Sequence, residues 1–194
     1  MKLHTTVMED AGIGADRLYE QALDHMSATY RAVFSAEVKQ RPPRLVITMT
    51  DDGRIACAAG IRCHTDGFFS QHYLDESVSD ALTRQVSQPV QPGDLLEVGS
   101  LACISPFSAY PTLRAVFDWG RSRGIGWGLF TATAEIRRLI LRARIKPVML
   151  GRAEACRVPN AAAWGKYYDH DPWVCAFRDP AQVSSDITKY AEIS

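Results

Sequence analysis

Glu97 stands inside an otherwise apolar run, Asp94-Leu95-Leu96-Glu97-Val98-Gly99-Ser100-Leu101-Ala102-Cys103-Ile104. A carboxylate in such a place is either paired or at work. If burial raises its pKa, it can take a proton from an amine directly or through water. An amine attacking a thioester also needs its target carbonyl held and the developing oxyanion stabilised. Backbone N–H groups from Ser100 and Leu101 through Ala102 to Cys103 can serve both needs if the strand they lie on parts from its neighbour. Arg62, near the end of an earlier strand, can fix an acceptor carboxylate with two parallel hydrogen bonds. The plain alternative is a structural Glu97–Arg62 ion pair, and both readings stay open at this point. Cys103 is a weaker nucleophile candidate, since a buried strand cysteine is normally inert.

Aromatic residues suggest the rest of such a site. Phe107, Trp127 and Phe130, with Phe68 and Phe69, can line an acyl tunnel, although each alone suits a core equally well. Trp164, Tyr167 and Tyr168 lie together on a polar segment and can close a pocket or pack it against a sheet. Thr131 and Thr133 can bond a substrate, while Thr133 is also placed to cap a helix.

These residues need elements to hold them. Gly126-Trp127-Gly128-Leu129-Phe130-Thr131-Ala132-Thr133 is a second apolar run, and one amphipathic segment separates it from the Glu97 run. A strand–helix–strand unit of this kind makes its strands parallel neighbours. Upstream, Asp16 caps a helix expected to reach about Lys39, with Leu18, Ala22, Met26, Tyr30, Val33 and Phe34 as its stripe. Leu45–Thr50 and Arg54–Cys63 flank Asp51-Asp52-Gly53 and form a hairpin. Further helices are expected at Ser77–Val86, Tyr110–Arg123 (with Pro111 in the first turn) and Ala134–Arg144. Strands are expected at Met1–Val7, Lys146–Leu150 and Trp173–Phe177. This order is that of an α/β (α+β mixed) GNAT-like acyl-CoA N-acyltransferase domain: a mixed, mostly antiparallel sheet with one splayed parallel pair and helices on both faces. One domain is expected over 1–178, with 179–194 as a C-terminal tail.

Composition excludes some functions. Lys+Arg and Asp+Glu each count 22, so no bulk positive charge is present to hold nucleic acid. No apolar run approaches the roughly 20 residues of a membrane span, and the N-terminus has no signal-peptide core. The five cysteines are odd in number and lack CxxC spacing. They read as reduced, mostly buried thiols of a cytoplasmic protein, with no zinc pattern.

The chain resembles the thermostable hemolysin family, whose members look like relatives of acyl-homoserine lactone synthases and GNAT enzymes. The matching pieces are Gly60-Ile61-Arg62; Phe69, Gln71, Tyr73 and Leu74; Glu97 to Ala102; Trp127 with Phe130 to Thr133; and Trp164 to Tyr168 with Pro172 and Val174. Ser100 departs from the family's usual Asn. The resemblance implies amide formation from an acyl thioester, with Glu97 on the acidic position beside the thioester. The Gly-rich turn by which GNAT enzymes cradle the coenzyme A pyrophosphate is absent, because Ser105-Pro106-Phe107-Ser108-Ala109-Tyr110 occupies its place. Arg121 to Gly126 matches that pattern by letters but follows a helix instead of opening one. The expected donor is therefore an acyl-carrier protein, through its phosphopantetheine arm, ahead of coenzyme A, with no tightly bound cofactor. Arg137, Arg138, Arg142 and Arg144 would meet the acidic carrier, and the acceptor would be a small amine or amino acid. The alternatives are a membrane-active hemolysin, as the family's name suggests, and a non-catalytic relative that binds a carrier or metabolite.

Overall fold

A computed structural model describes residues 2–14, 16–37, 39–142, 146–179 and 181. Its seven strands are β1 (Leu3–Glu9), β2 (Arg44–Thr50), β3 (Ile55–Cys63), β4 (Leu95–Cys103), β5 (Trp127–Ala132), β6 (Val148–Arg152) and β7 (Trp173–Arg178). They form one sheet in the order β1-β2-β3-β4-β5-β7-β6. The β4–β5 pair is parallel and all other neighbours are antiparallel. The helices are α1 (Arg17–Phe34), α2 (Val78–Val86), α3 (Pro106–Arg121) and α4 (Ala134–Arg142). This is the expected mixed α/β, GNAT-like architecture.

Side-chain alternation along the strands separates the two faces. On one face, Tyr19, Ala22, Met26 and Tyr30 of α1 cover Leu45, Ile47, Ala58 and Ala102. On the same face, Val78 and Leu82 of α2 cover Leu95, Leu129, Val174 and Ala176. Val116 of α3 packs on the other face with Val46, Ala59, Ile61, Leu96, Val98 and Phe130. Each fully buried aliphatic side chain in these clusters contributes about 1.5–3 kcal/mol. Glu97 shares its face with Leu95 and Leu129, so it lies in the seam between the α1 and α2 clusters.

Local chemistry moves several boundaries from where sequence pattern sets them. Helix α1 stops at Phe34, short of Lys39, because Ser35 turns left-handed (φ 55°) and donates its N–H to Arg31. Beyond the helix, Glu37 N–H bonds the Ala163 carbonyl at 2.6 Å, and Pro42 packs closely on Gly60 of β3. Helix α3 begins four residues before Tyr110, with Pro106 in its first turn and Pro111 inside it. Strands β1 and β6 each start two residues later than expected. Asp179, expected to open a tail, is buried and accepts both Arg121 Nε at 2.7 Å and Arg121 Nη2 at 2.9 Å. Residues 180 and 182–194 of the expected tail lie outside the described residues.

The expectation of five reduced thiols is corrected at two of them. Cys57 and Cys103 are direct partners across β3 and β4, with Cα atoms 4.0 Å apart, and are joined by a disulfide. They stand 46 residues apart in sequence, so only strand register reveals them as neighbours. Cys63, Cys156 and Cys175 are free, and Cys156 is exposed.

Candidate active site

Strands β4 and β5 stay paired only from Leu95↔Trp127 to Val98↔Phe130. Beyond that, β5 remains bound to β7 as far as Ala132, and β4 remains bound to β3 as far as Cys103. The two strands therefore part, and among the described residues the β5-facing edge of Gly99–Cys103 has no strand neighbour. A bulge marks the parting. The β3–β4 register shifts between Ala58 and Gly60, giving β4 one extra residue. Ser100 takes that place at φ 52°. Asn tolerates this left-handed backbone better than most residues. Serine adopts it at a cost that Asn or Gly would lessen, so the position answers first to backbone shape.

The gap opens into a cleft lined by Tyr30, Gln40, Pro42, Gly60, Arg62, Phe69, Tyr73, Glu97, Val98, Gly99, Ser100, Thr131, Trp164 and Tyr167. Its free volume is about 40 Å³, room for a few waters, so the cleft is narrow as it stands. Gly60 allows the chain to lie close here: a Cβ at that position would meet Pro42 Cγ at 2.5 Å. Gly165 does the same for the wall, taking φ +54° with its Cα against the carbonyls of Phe34 and Ser35 at the end of α1. The wall is aromatic. Tyr30, Phe34, Trp164 and Tyr167 contact one another with ring centroids 5.3–6.4 Å apart, and Phe69 meets Trp164 at 5.5 Å.

Glu97 is 4% exposed and lies at the floor of this cleft. Its carboxylate is held by the start of the short 3-10 segment Phe69–Tyr73. Phe69 N–H donates at 2.6 Å and Ser70 N–H at 2.8 Å, and the Ser70 hydroxyl makes a third, short bond. Burial pushes the carboxyl above its ordinary value of 4.5; these three donors and the Arg62 charge pull the other way without cancelling it. Arg62 is the cross-strand partner of Glu97. Among the described residues no ion pair joins them, and Arg62 acts on the carboxylate only through space. The structural alternative of a Glu97–Arg62 pair is corrected accordingly: backbone and hydroxyl donors hold Glu97, and Arg62 is among the residues lining the cleft. Tyr73 and Tyr168 share a hydroxyl–hydroxyl bond of 3.0 Å, and burial raises both phenols, so they stay neutral.

Of the residues singled out from sequence, the cleft gathers Glu97, Arg62, Phe69, Ser100, Thr131, Trp164 and Tyr167. Tyr168 stands behind it, bonded to Tyr73. Leu101, Ala102 and Cys103 continue along the parted edge outside the lining; His25 bonds the Ala102 carbonyl at 3.1 Å, and Cys103 is in the disulfide, which removes it as a nucleophile. Three aromatic expectations are corrected. Trp127 packs with α2 residues, Phe130 packs edge-on to Phe177 at 5.1 Å, and Phe107 projects 87% exposed from the first turn of α3. Thr133 is buried and accepts the Ile136 N–H at 3.5 Å, as a cap does.

The proposed carrier-facing arginines also divide. Arg137 pairs with Asp171 at 2.7 Å and donates to the carbonyls of Ala132 and Asp171, so it braces α4 against the sheet. Arg138 and Arg142 are exposed, and Arg144 lies outside the described residues. Sequence reasoning did not single out Tyr30, Gln40 or Ser70. Tyr30 reads only as helix core, and Ser70 carries no polar pattern around it. The Pro42-Pro43 pair beside Gln40 was the one available signal of a chain pressed flat.

Comparison with known proteins adds two results. The chain shares its fold with TofI in its apo form (17% identity, TM-score 0.59, covering 91% of this chain and 90% of that one). It is similar too to FeeM, an N-acyl amino acid synthase from uncultured soil microbes (11%, 0.58, 91% of each), and to the AHL synthase LasI (12%, 0.56, 91% and 90%). No curated protein sequence matches it. The family model for thermostable hemolysin matches residues 14–182, and the chain belongs to that family.

Proposed function

We propose that this protein is an N-acyltransferase that moves an acyl group from a thioester to a small amine or amino acid. The observation that carries this reading is a buried, pKa-raised carboxylate at the floor of a cleft whose one side is an unpaired strand edge. The parted β4 edge offers N–H groups to a thioester carbonyl and its oxyanion. Glu97 is the proton acceptor, Arg62 faces the acceptor's carboxylate, and the aromatic wall excludes water. The acyl-transferring neighbours share this fold and support the same reading.

An acyl-carrier protein is the favoured donor. A pyrophosphate needs open N–H groups at the start of α3. Pro106 has none, and the Ser108 N–H is taken by the Ser105 carbonyl at 3.2 Å. A carrier's phosphopantetheine arm makes less demand there, and Arg138 and Arg142 offer positive charge to an acidic partner. The test is mass spectrometry of the chain incubated with acyl-carrier protein or acyl-coenzyme A and a pool of amines. Amide formation from the carrier is expected, with the rate about tenfold lower in Arg138→Glu/Arg142→Glu. Turnover only with coenzyme A would remove the carrier, and no amide from either donor would remove acyl transfer.

One observation favours the family's lytic name. Ile104, Phe107 and Tyr110 are 64–87% exposed around the start of α3. Among the described residues no helix is long and apolar enough to cross a membrane, so this reading is limited to surface contact. Dye leakage from liposomes with no acyl donor present would support it.

A further inference from the structure

Glu97 cannot easily meet an amine itself. Its Oε1 accepts both the N–H and the hydroxyl of Ser70, and its Oε2 accepts the Phe69 N–H. The Ser70 side chain is wholly buried, so no substrate reaches it directly. Its hydroxyl makes one further bond, to Thr131 Oγ1 at 2.9 Å. Thr131 is half-buried and lines the cleft.

The sheet explains why these three groups meet. Glu97 is opposite Leu129, and alternation returns the side chain of Thr131 to the same face. Thr131 is the first β5 residue beyond the last β4–β5 pair, so it stands where the gap begins. Ser70 hangs over both from the Phe69–Tyr73 segment. The Thr131 backbone is itself held, its carbonyl accepting the Tyr167 hydroxyl at 2.9 Å.

The geometry points to a hydroxyl relay, Thr131–Ser70–Glu97, through which the buried carboxylate takes the proton shed by the attacking amine. The inference rests on the acyltransferase reading. As nitrogen bonds the thioester carbon and the C–S bond breaks, the pair leaves on sulfur. The amine proton passes to Thr131 Oγ1, the proton of Thr131 to Ser70 Oγ, and the proton of Ser70 to Glu97 Oε1. The thiolate takes a proton from solvent at the mouth, and Glu97 returns its own by the reverse path. Thr131 is then a catalytic residue, and Ser70 acts through its neighbours. The charged and titratable groups facing Glu97 are Arg62 from β3 and Tyr73 from the overlying segment.

Two measurements on the full chain test the relay. The first needs no substrate. Infrared titration follows the Glu97 carboxyl band, assigned by its loss in Glu97→Gln. Removing the Thr131 hydroxyl takes a donor from Ser70 and weakens its bond to Glu97, so Thr131→Val should move the titration upward while Thr131→Ser leaves it in place. An unmoved band in Thr131→Val overturns the relay whatever the activity. The second is turnover. Thr131→Val should lower kcat about 10²-fold with KM little changed. Thr131→Ser should restore kcat to within a few fold, and Ser70→Ala should fall with Thr131→Val. Full kcat in Thr131→Val overturns the relay while leaving the acyltransferase reading intact. If Thr131→Val moves the infrared band as described yet the wild-type chain turns over no thioester, the acyltransferase reading is overturned, and the relay's catalytic role with it.

Discussion

The two halves of β4 differ more from each other than either does from the neighbouring strands. From Leu95 to Val98 the strand is flanked on both edges, and all four residues are buried. From Gly99 to Cys103 it keeps only β3, carries a left-handed residue and ends in a disulfide. The first half has the hydrogen bonding of a sheet interior and supplies packing. Among the described residues the second has one edge with no strand partner, and the proposed function places the thioester there. Glu97 belongs to the first half by its backbone and to the second by its carboxylate. A single strand thus divides stability from chemistry at the point where its parallel partner departs.

Several changes would break or sharpen that division. The largest effect is expected from Glu97→Gln. The loss of a general base should lower kcat about 10³-fold, equivalent to about 4 kcal/mol, with circular dichroism unchanged. Leu96→Ala, one residue away in the packed half, should do the opposite. It should lower unfolding free energy by about 3 kcal/mol through the cavity it leaves, with turnover of the folded fraction retained. If Leu96→Ala abolishes turnover in folded protein, the two halves are not separate.

A smaller effect concerns pH. The folded Glu97 carboxyl binds its proton more tightly than the unfolded chain does. Its contribution to stability is therefore present below about 4.5 and is lost as pH rises through the raised folded value. Glu97→Gln lacks this loss, so its melting temperature relative to wild type should climb across that window. The acid limb of kcat should likewise fall above 4.5, the ordinary carboxyl value. The smallest effect belongs to Ser100→Gly. Relieving a left-handed serine should raise stability by about 1 kcal/mol and leave kcat close to wild type. A large loss of kcat would give the Ser100 side chain a role that its backbone angle does not require.

The sheet was legible because its signals are local. Period-two runs, the Asp51-Asp52-Gly53 turn and the helix between the Glu97 and Trp127 runs give most elements and the parallel pair. Glu97 was legible because a charge inside an apolar strand demands a reason. What holds it was not, since Phe69 and Ser70 lie 28 and 27 residues away and donate mostly through backbone, which every sequence has. The aromatic candidates Trp127, Phe130 and Phe107 misled because a ring's size does not say which face of a strand or helix it occupies. Arg137 misled in the same way: a charge on a helix reads as solvated until Asp171 is seen beside it.

Gly60 sets the width of the entrance. With no side chain there, the Pro42 ring rests directly on the sheet and narrows the aperture from that side. Any larger residue would have to displace the Pro42 ring, a change made apart from Glu97, Ser70 and Thr131. Under the proposed function, the girth of what enters is thus set by one contact beneath a proline, apart from the groups proposed to move the proton.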